Sequence, residues 1–246
     1  MRRQIWKSRL LLKWQFGLLL ILLFGIPRFM LVLQANVTGN YNLIPLIFIL
    51  MALTPYLLLS KDGRFNTGIK KPAHNTWLLY SFMIGIGICT ITFMLAHFLF
   101  DYSTENWFVY ISNTYAVPTT GLTSTGRLIY FIIYALIGMT FSPVGEELFY
   151  RGIVHGSFTD KFGEHGASII DSAAFALTHL AHFGIVYLSG TWQFLLGPAL
   201  IWMTMIYIAG RLFFFCKQRS GSILGAILCH AGFNLSMMYF IFYYIL

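Results

Sequence analysis

Residues 128–154 read LIYFIIYALIGMTFSPVGEELFYRGIV, an apolar run that holds two adjacent carboxylates and an arginine in its second half. About 20 apolar residues rising 1.5 Å each cross a hydrocarbon core about 30 Å thick, so this run is long enough to span a membrane. A charge near the bilayer centre costs at least about 2.5 kcal/mol and is rarely kept without a use. Glu146, Glu147 and Arg151 therefore mark this span as one with work to do. Working outward with the same ruler, Leu10–Leu33, Leu43–Ser60, Trp77–Phe100, Ala167–Phe183, Phe194–Phe215 and Ile223–Leu246 also qualify. The fifth span in chain order, Ala167–Phe183, is short and contains Asp171, so hydropathy marks it least sharply. The expected fold is all-α, a polytopic transmembrane bundle of about seven spans.

Composition agrees. The chain has 246 residues, 58% hydrophobic and 10% charged, against about a quarter charged in a soluble domain, which excludes a soluble globular protein. Its 16 basic and 8 acidic residues leave a net charge of +8. Apolar stretches separate these charges too widely to build a nucleic-acid-binding face, so no nucleic-acid partner is expected. The basic residues instead report topology, because cytoplasmic loops collect Lys and Arg. Arg2, Arg3, Lys7, Arg9 and Lys13 precede or open the first span, Lys61, Arg64, Lys70 and Lys71 follow the second, and Arg211, Lys217 and Arg219 close the sixth. Between them, Gln34–Asn42, Asp101–Arg127 and Gly184–Gln193 hold a single basic residue, Arg127. The amino terminus is therefore expected in the cytoplasm. Asp101–Arg127, rich in Ser, Thr, Asn and Tyr, is expected as an exposed external loop. The first apolar stretch outlasts a secretion-signal core and shows no small-residue cleavage site, so it reads as a span. Cys89, Cys216 and Cys229 share no CxxC spacing and lie in apolar surroundings, as core thiols do.

No internal repeat, low-complexity tract or soluble domain is evident, so function is sought in the membrane helices. The division expected is residues 1–126, holding the first three spans and the external loop, and residues 127–246, a catalytic transmembrane core. Polar groups at membrane depth are few. They are Glu146, Glu147 and Arg151; Asp171, His179 and His182; and His230 with Asn234. Residues four apart share a helix face. Glu147 can thus pair with Arg151, which leaves Glu146 on another face with no partner in its own helix. Desolvation of an unpaired buried carboxylate favours its protonated form, the profile of a general base. Phe175 and His179 share a face, as do His230 and Asn234. Counted from the expected cytoplasmic ends, Glu146, His179, His230 and Asn234 all lie about 10–18 Å deep, so they can meet. Asp171 is expected near the interface as a helix cap, and His97 and His182 as structural histidines. Pro143 and Gly145 are expected to bend the fourth span and make room for water. Gly221 and Gly225 are expected to serve close helix packing.

Glu146-Glu147-x-x-x-Arg151, Phe175-x-x-x-His179 and His230-x-x-x-Asn234, in that order on separate spans, resemble the three motifs of the CAAX protease and bacteriocin-processing (Abi) family. The resemblance covers about Leu128–Leu246. It implies an intramembrane glutamate-dependent endopeptidase in the cell membrane, acting on a peptide or membrane-protein substrate. In it Glu146 activates water, His179 assists, and His230 and Asn234 stabilise the oxyanion. Glu147, Arg151 and Phe175 support them. Family members include enzymes that remove the last three residues of a prenylated chain and bacterial members tied to bacteriocin self-immunity or peptide processing. The compact chain without appended domains is more like the latter. No cofactor is expected, although Glu146, His179 and His230 are chemically competent zinc ligands. His-Glu-x-x-His and Gly-x-Ser-x-Gly are absent, against a zincin or a serine hydrolase. The rival expectation is a non-enzymatic immunity factor or a proton-coupled transporter.

Overall fold

The computed structural model describes residues 13–115, 117–118 and 121–246. Arg2, Arg3, Lys7, Arg9 and the start of the first expected span at Leu10 lie outside the described residues. The described chain is a helical bundle with one small β-hairpin. Helix α1 runs Trp14–Thr38, α2 Ile44–Leu58, α3 Lys61–Asn66, α4 Thr76–Phe100, α5 Trp107–Thr114 and α6 Ser124–Glu147. A π-helical stretch, Leu148–Val154, joins α6 to α7, His155–His179. Strands β1, Ile185–Leu188, and β2, Thr191–Phe194, precede α8, Leu196–Ser220, and α9, Ile223–Phe240, and a second π-helical stretch, Ile241–Ile245, follows.

Among the described residues, Trp14–Thr38, Thr76–Phe100, Ser124–His179, Leu196–Ser220 and Ile223–Ile245 are long and apolar enough to cross a membrane. The protein is thus a multi-pass membrane protein. The second expected span, α2, has 15 residues and at about 22 Å falls short of the hydrocarbon core. The expected fourth and fifth spans form one helical run from Ser124 to His179, which fully extended would measure about 84 Å. It folds back on itself at Gly163, whose φ of 67° and ψ of 173° no helix contains. Side-chain pairs fall evenly either side of that glycine. His155 meets Asp171 at 2.7 Å, and the rings of Tyr150 and Phe175 are 5.6 Å apart. The two limbs are therefore an antiparallel hairpin, and the connection expected between Val154 and Ala167 is helical almost to its tip.

Glycine sets the closest helix approaches. A Cβ on Gly85 would meet the Cys229 backbone, one on Gly232 the Phe82 carbonyl, and one on Gly225 the Cys216 carbonyl, so α4 and α8 lie directly on α9. Gly225 packs as expected. Gly221 is also closely packed, against Ala73 of a connecting segment, and at φ 71° it is the left-handed cap that ends α8. Gly145 departs from expectation. Its missing Cβ admits the Phe48 backbone of α2, so the position that was expected to open space is filled by a helix. Cys89, Cys216 and Cys229 are free and buried.

The Asp101–Arg127 stretch is a further correction. Trp107 and Phe108 are fully buried, and α5 seats them on the bundle, Trp107 against Phe183 and Trp202. Pattern reading sees Ser and Thr there and overlooks an eight-residue amphipathic turn of helix. Next to it the Gly184–Gln193 connection forms the β-hairpin, with Ile185 opposite Phe194 and Leu188 opposite Thr191. Tyr110 ties the two, its hydroxyl accepting from the Tyr187 amide at 2.8 Å.

Candidate active site

Glu146 and His179 lie seventeen and sixteen residues from the turn at Gly163, so the hairpin brings both to one depth, about 25 Å from its tip. α9 supplies His230 from the third side. Glu146, Glu147 and Arg151 are fully buried and His230 nearly so. Glu147 Oε1 accepts from Arg151 Nη1 at 3.1 Å and faces His230 Nδ1 at 2.9 Å. A carboxylate can only accept, so Nδ1 carries hydrogen and Nε2 is the nitrogen turned to Glu146 Oε2, 3.8 Å away. That oxygen also accepts from Ser142 Oγ at 2.7 Å. The pairing expected from four-residue spacing is present, and it extends to a histidine on another helix.

Phe175 is the common wall. Its ring lies 4.4 Å from that of His179, 5.6 Å from that of His230 and 4.4 Å from the Arg151 guanidinium. The guanidinium fits because α8 offers Gly210 there, where a Cβ would come within 2.6 Å of Nη2. Asp171 is not the interfacial cap expected. It is fully buried, 3.6 Å from Arg151 Nε and 2.7 Å from His155 Nδ1. His155 Nε2 in turn meets Glu164 at 2.9 Å, so an unbroken chain of polar contacts leads from the hairpin tip to Glu146. Gly152, His155, Glu164, Lys217 and Ser222 are among the residues lining a recess of about 240 Å³ beside this chain.

The partner expected to be missing from Glu146 is present. Arg28, in the middle of α1, puts Nη2 2.8 Å from Glu146 Oε1. The same nitrogen lies 3.4 Å from His179 Nε2 and 3.5 Å from His182 Nε2, and Nη1 donates to the Thr178 carbonyl at 3.2 Å. His179 Nδ1 lies 2.8 Å from the Phe175 carbonyl, which fixes its hydrogen there and leaves Nε2 as the acceptor toward Arg28. His182 thus belongs to the edge of the cluster, while His97 lies apart beside Asp101, at 3.5 Å. The hydropathy reading counts Arg28 as one charge lost inside an apolar helix. Its position in mid-span is the signal that could have found it.

The structure brings together Glu146, Glu147, Arg151, Phe175 and His230, and joins His179 to them through Arg28. It does not bring the Asn234 amide to the carboxylate. Asn234 Nδ2 donates to the Gly138 carbonyl at 2.8 Å, two helical turns before Glu146. Of the three side chains considered as zinc ligands, Glu146 and His179 both contact Arg28 Nη2. Among the described residues no three His, Cys, Asp or Glu side chains are grouped to hold a metal.

This geometry combines a buried carboxylate, two imidazoles with assigned free nitrogens and a fixed cation, which is equipment for moving a proton from water during hydrolysis of an acyl bond. Comparison with curated proteins gives no match, and comparison with solved structures gives none. The family comparison does match: residues 128–236 fit the family described as type II CAAX prenyl endopeptidase Rce1-like. That segment, which contains the acidic pair, Arg151, Phe175, His179, His230 and Asn234, is similar to the Rce1-like CAAX prenyl endopeptidases.

Proposed function

We propose that the protein is a glutamate-dependent intramembrane endopeptidase in which Glu146 takes a proton from water, the resulting hydroxide adds to a peptide carbonyl, and the tetrahedral intermediate breaks its C–N bond as the leaving amine receives that proton. The observation that carries this reading is the convergence on Glu146 of side chains from separate helices, with His230 Nε2 3.8 Å from its Oε2 and Arg28 2.8 Å from its Oε1. Ser142 orients the carboxylate from one turn earlier. His179, held through Nε2 by the Arg28 guanidinium, is the proposed assistant in proton transfer. His230 and Asn234 are the proposed oxyanion donors. For His230 this requires a hydrogen on Nε2, the nitrogen turned to Glu146. Asn234 must release the Gly138 carbonyl to take part.

The setting proposed is the bacterial plasma membrane, in peptide processing or bacteriocin self-immunity. What supports it is the motif resemblance to the bacteriocin-processing group. The water is proposed to be activated without a metal, and the guanidinium in contact with both Glu146 and His179 supports that reading.

The test is Glu146→Gln in protein reconstituted into liposomes with a farnesylated peptide ending in a CAAX sequence, and separately with a bacteriocin precursor. The substitution keeps shape and hydrogen bonding and removes the base. Cleavage by the wild type and a fall of about a thousandfold or more in the variant is expected. Protection of cells from bacteriocin by Glu146→Gln at wild-type abundance would instead identify a blocking protein. Flux of protons or solute across the liposomes under an imposed gradient would identify a transporter. Incubation with 1,10-phenanthroline should leave turnover unchanged, and inhibition reversed by added zinc would restore the metal reading.

A further inference from the structure

Arg28 lies fourteen residues into α1, about 21 Å along it, and outside the segment 128–236 that the family match covers. It is 1% exposed. A cation at that depth is expensive and is retained where it has a use. Its simplest use is to neutralise Glu146, yet neutralisation needs only one contact. This guanidinium makes contacts to two of the proposed catalytic groups at once, and its second arm holds the backbone at Thr178, next to His179. No direct contact joins Glu146 to His179, so the arginine fork is the piece that fixes one relative to the other. The Phe48 ring of α2 lies 5.7 Å from the guanidinium carbon, and Gly145 keeps that helix close. One donor, Nε, is buried with no hydrogen-bond partner among the described residues.

A different use would be to bind the free carboxyl terminus of a substrate cut three residues from its end. Distance decides against it. Three extended residues reach about 10 Å beyond the scissile bond, whereas Arg28 sits 2.8 Å from the proposed base. It sits beside the proposed base, too close to the reacting groups to hold the far end of such a substrate.

Resting on the reading of Glu146 as the base, we propose that Arg28 is a positioning residue of the hydrolytic reaction: its guanidinium fork from the first helix aligns Glu146 with His179. The planar fork is what matters, since lysine carries the charge without the second arm.

The experiment compares wild type, Arg28→Lys, Arg28→Met and Arg28→Ala in liposomes with the same farnesylated peptide, recording kcat, KM and thermal unfolding. Misplacing reacting groups by about 1 Å costs about a hundredfold. Arg28→Met is therefore expected to lose about a hundredfold in kcat with KM within about threefold, and Arg28→Lys to recover only a small part. Methylguanidinium should restore part of the kcat of Arg28→Ala, and methylammonium should not. Folded Arg28→Lys with kcat within about threefold of wild type overturns the proposal, as does equal rescue by the two cations. If Arg28→Met fails to fold, those two measurements still decide. Glu146→Gln runs alongside. Its full activity would sink the proposed function, whereas an inactive Glu146→Gln beside an active Arg28→Lys sinks the role of Arg28 alone.

Discussion

Glu147 is engaged on both sides, by Arg151 at 3.1 Å and His230 at 2.9 Å, and neither it nor Arg151 is exposed. Removing one member of a buried pair costs about 3–5 kcal/mol, because the other charge remains without compensation. Asp171 stays 3.6 Å from Arg151, so the loss should fall at the lower end. Glu147→Ala is expected to lower unfolding stability in detergent by about 3 kcal/mol, and Glu147→Gln, which keeps an acceptor, to lose less. Unchanged stability of Glu147→Ala would show that Arg151 and His230 are held by other means. This pair is legible in the sequence because helical spacing alone places residues 147 and 151 together. Asp171 is not, since it reaches Arg151 only through the hairpin, and an acid near one end of a short span reads as an interfacial cap. Arg28 is hidden for another reason: a window average over an apolar helix absorbs a single charge, and nothing in the neighbouring residues names its partner 118 positions away.

The hairpin of α6 and α7 is the element that makes the site, and two glycines secure it by different physics. At Gly163 an added Cβ would meet nothing within 4 Å. The constraint is conformational, since φ 67° with ψ 173° is a region that essentially only glycine occupies, at about 1–3 kcal/mol for any other residue. At Gly145 the constraint is contact, with the Phe48 backbone where a Cβ would be. Gly163→Ala is expected to cost about 1–3 kcal/mol by thermal unfolding and leave the fold intact. Gly145→Ala is expected to lower kcat as well as stability, because the displaced α2 carries Phe48 away from Arg28. Gly197, in open space at the start of α8, gives the control, and its change to alanine should cost nothing. A loss at Gly197 equal to that at Gly145 would refute the contact argument. A break between residues 154 and 167 is legible from hydropathy. That it is one glycine in an otherwise helical run is not, because the residues around it, from His155 to Gly166, are polar without any strong turn signal beyond Gly163 itself.

At the scale of the molecule, the basic segments around Lys70 and Lys217 gather at one end of the described residues. The Gly68 carbonyl accepts from the Ile223 amide at 2.8 Å, the Ser220 carbonyl from the Ala73 amide at 2.8 Å, and the Lys70 carbonyl from Ser222 Oγ at 2.6 Å. Lys70 and Lys71 thus lie beside the end of α8 with Lys217 and Arg219, and Lys217 reaches the Arg151 carbonyl at 2.6 Å, on the limb that leads to the hairpin tip. At the other end Asn36 donates to the Ala181 carbonyl at 2.8 Å and Tyr110 holds β1, in segments almost without Lys or Arg. The charge asymmetry read from loops is therefore a property of two real ends, and the positive-inside rule orients them. Asp160 near the tip and Ser189 in the β-hairpin turn are exposed, while Cys89, Cys216 and Cys229 are buried. An impermeant maleimide should leave the wild type unlabelled in intact cells. It should label Ser189→Cys without lysis and Asp160→Cys only after the membrane is opened. Labelling of both from the same side would separate the hairpin tip from the basic end, and with it would go the orientation that puts Glu146 and His179, about 25 Å from that tip, inside the membrane.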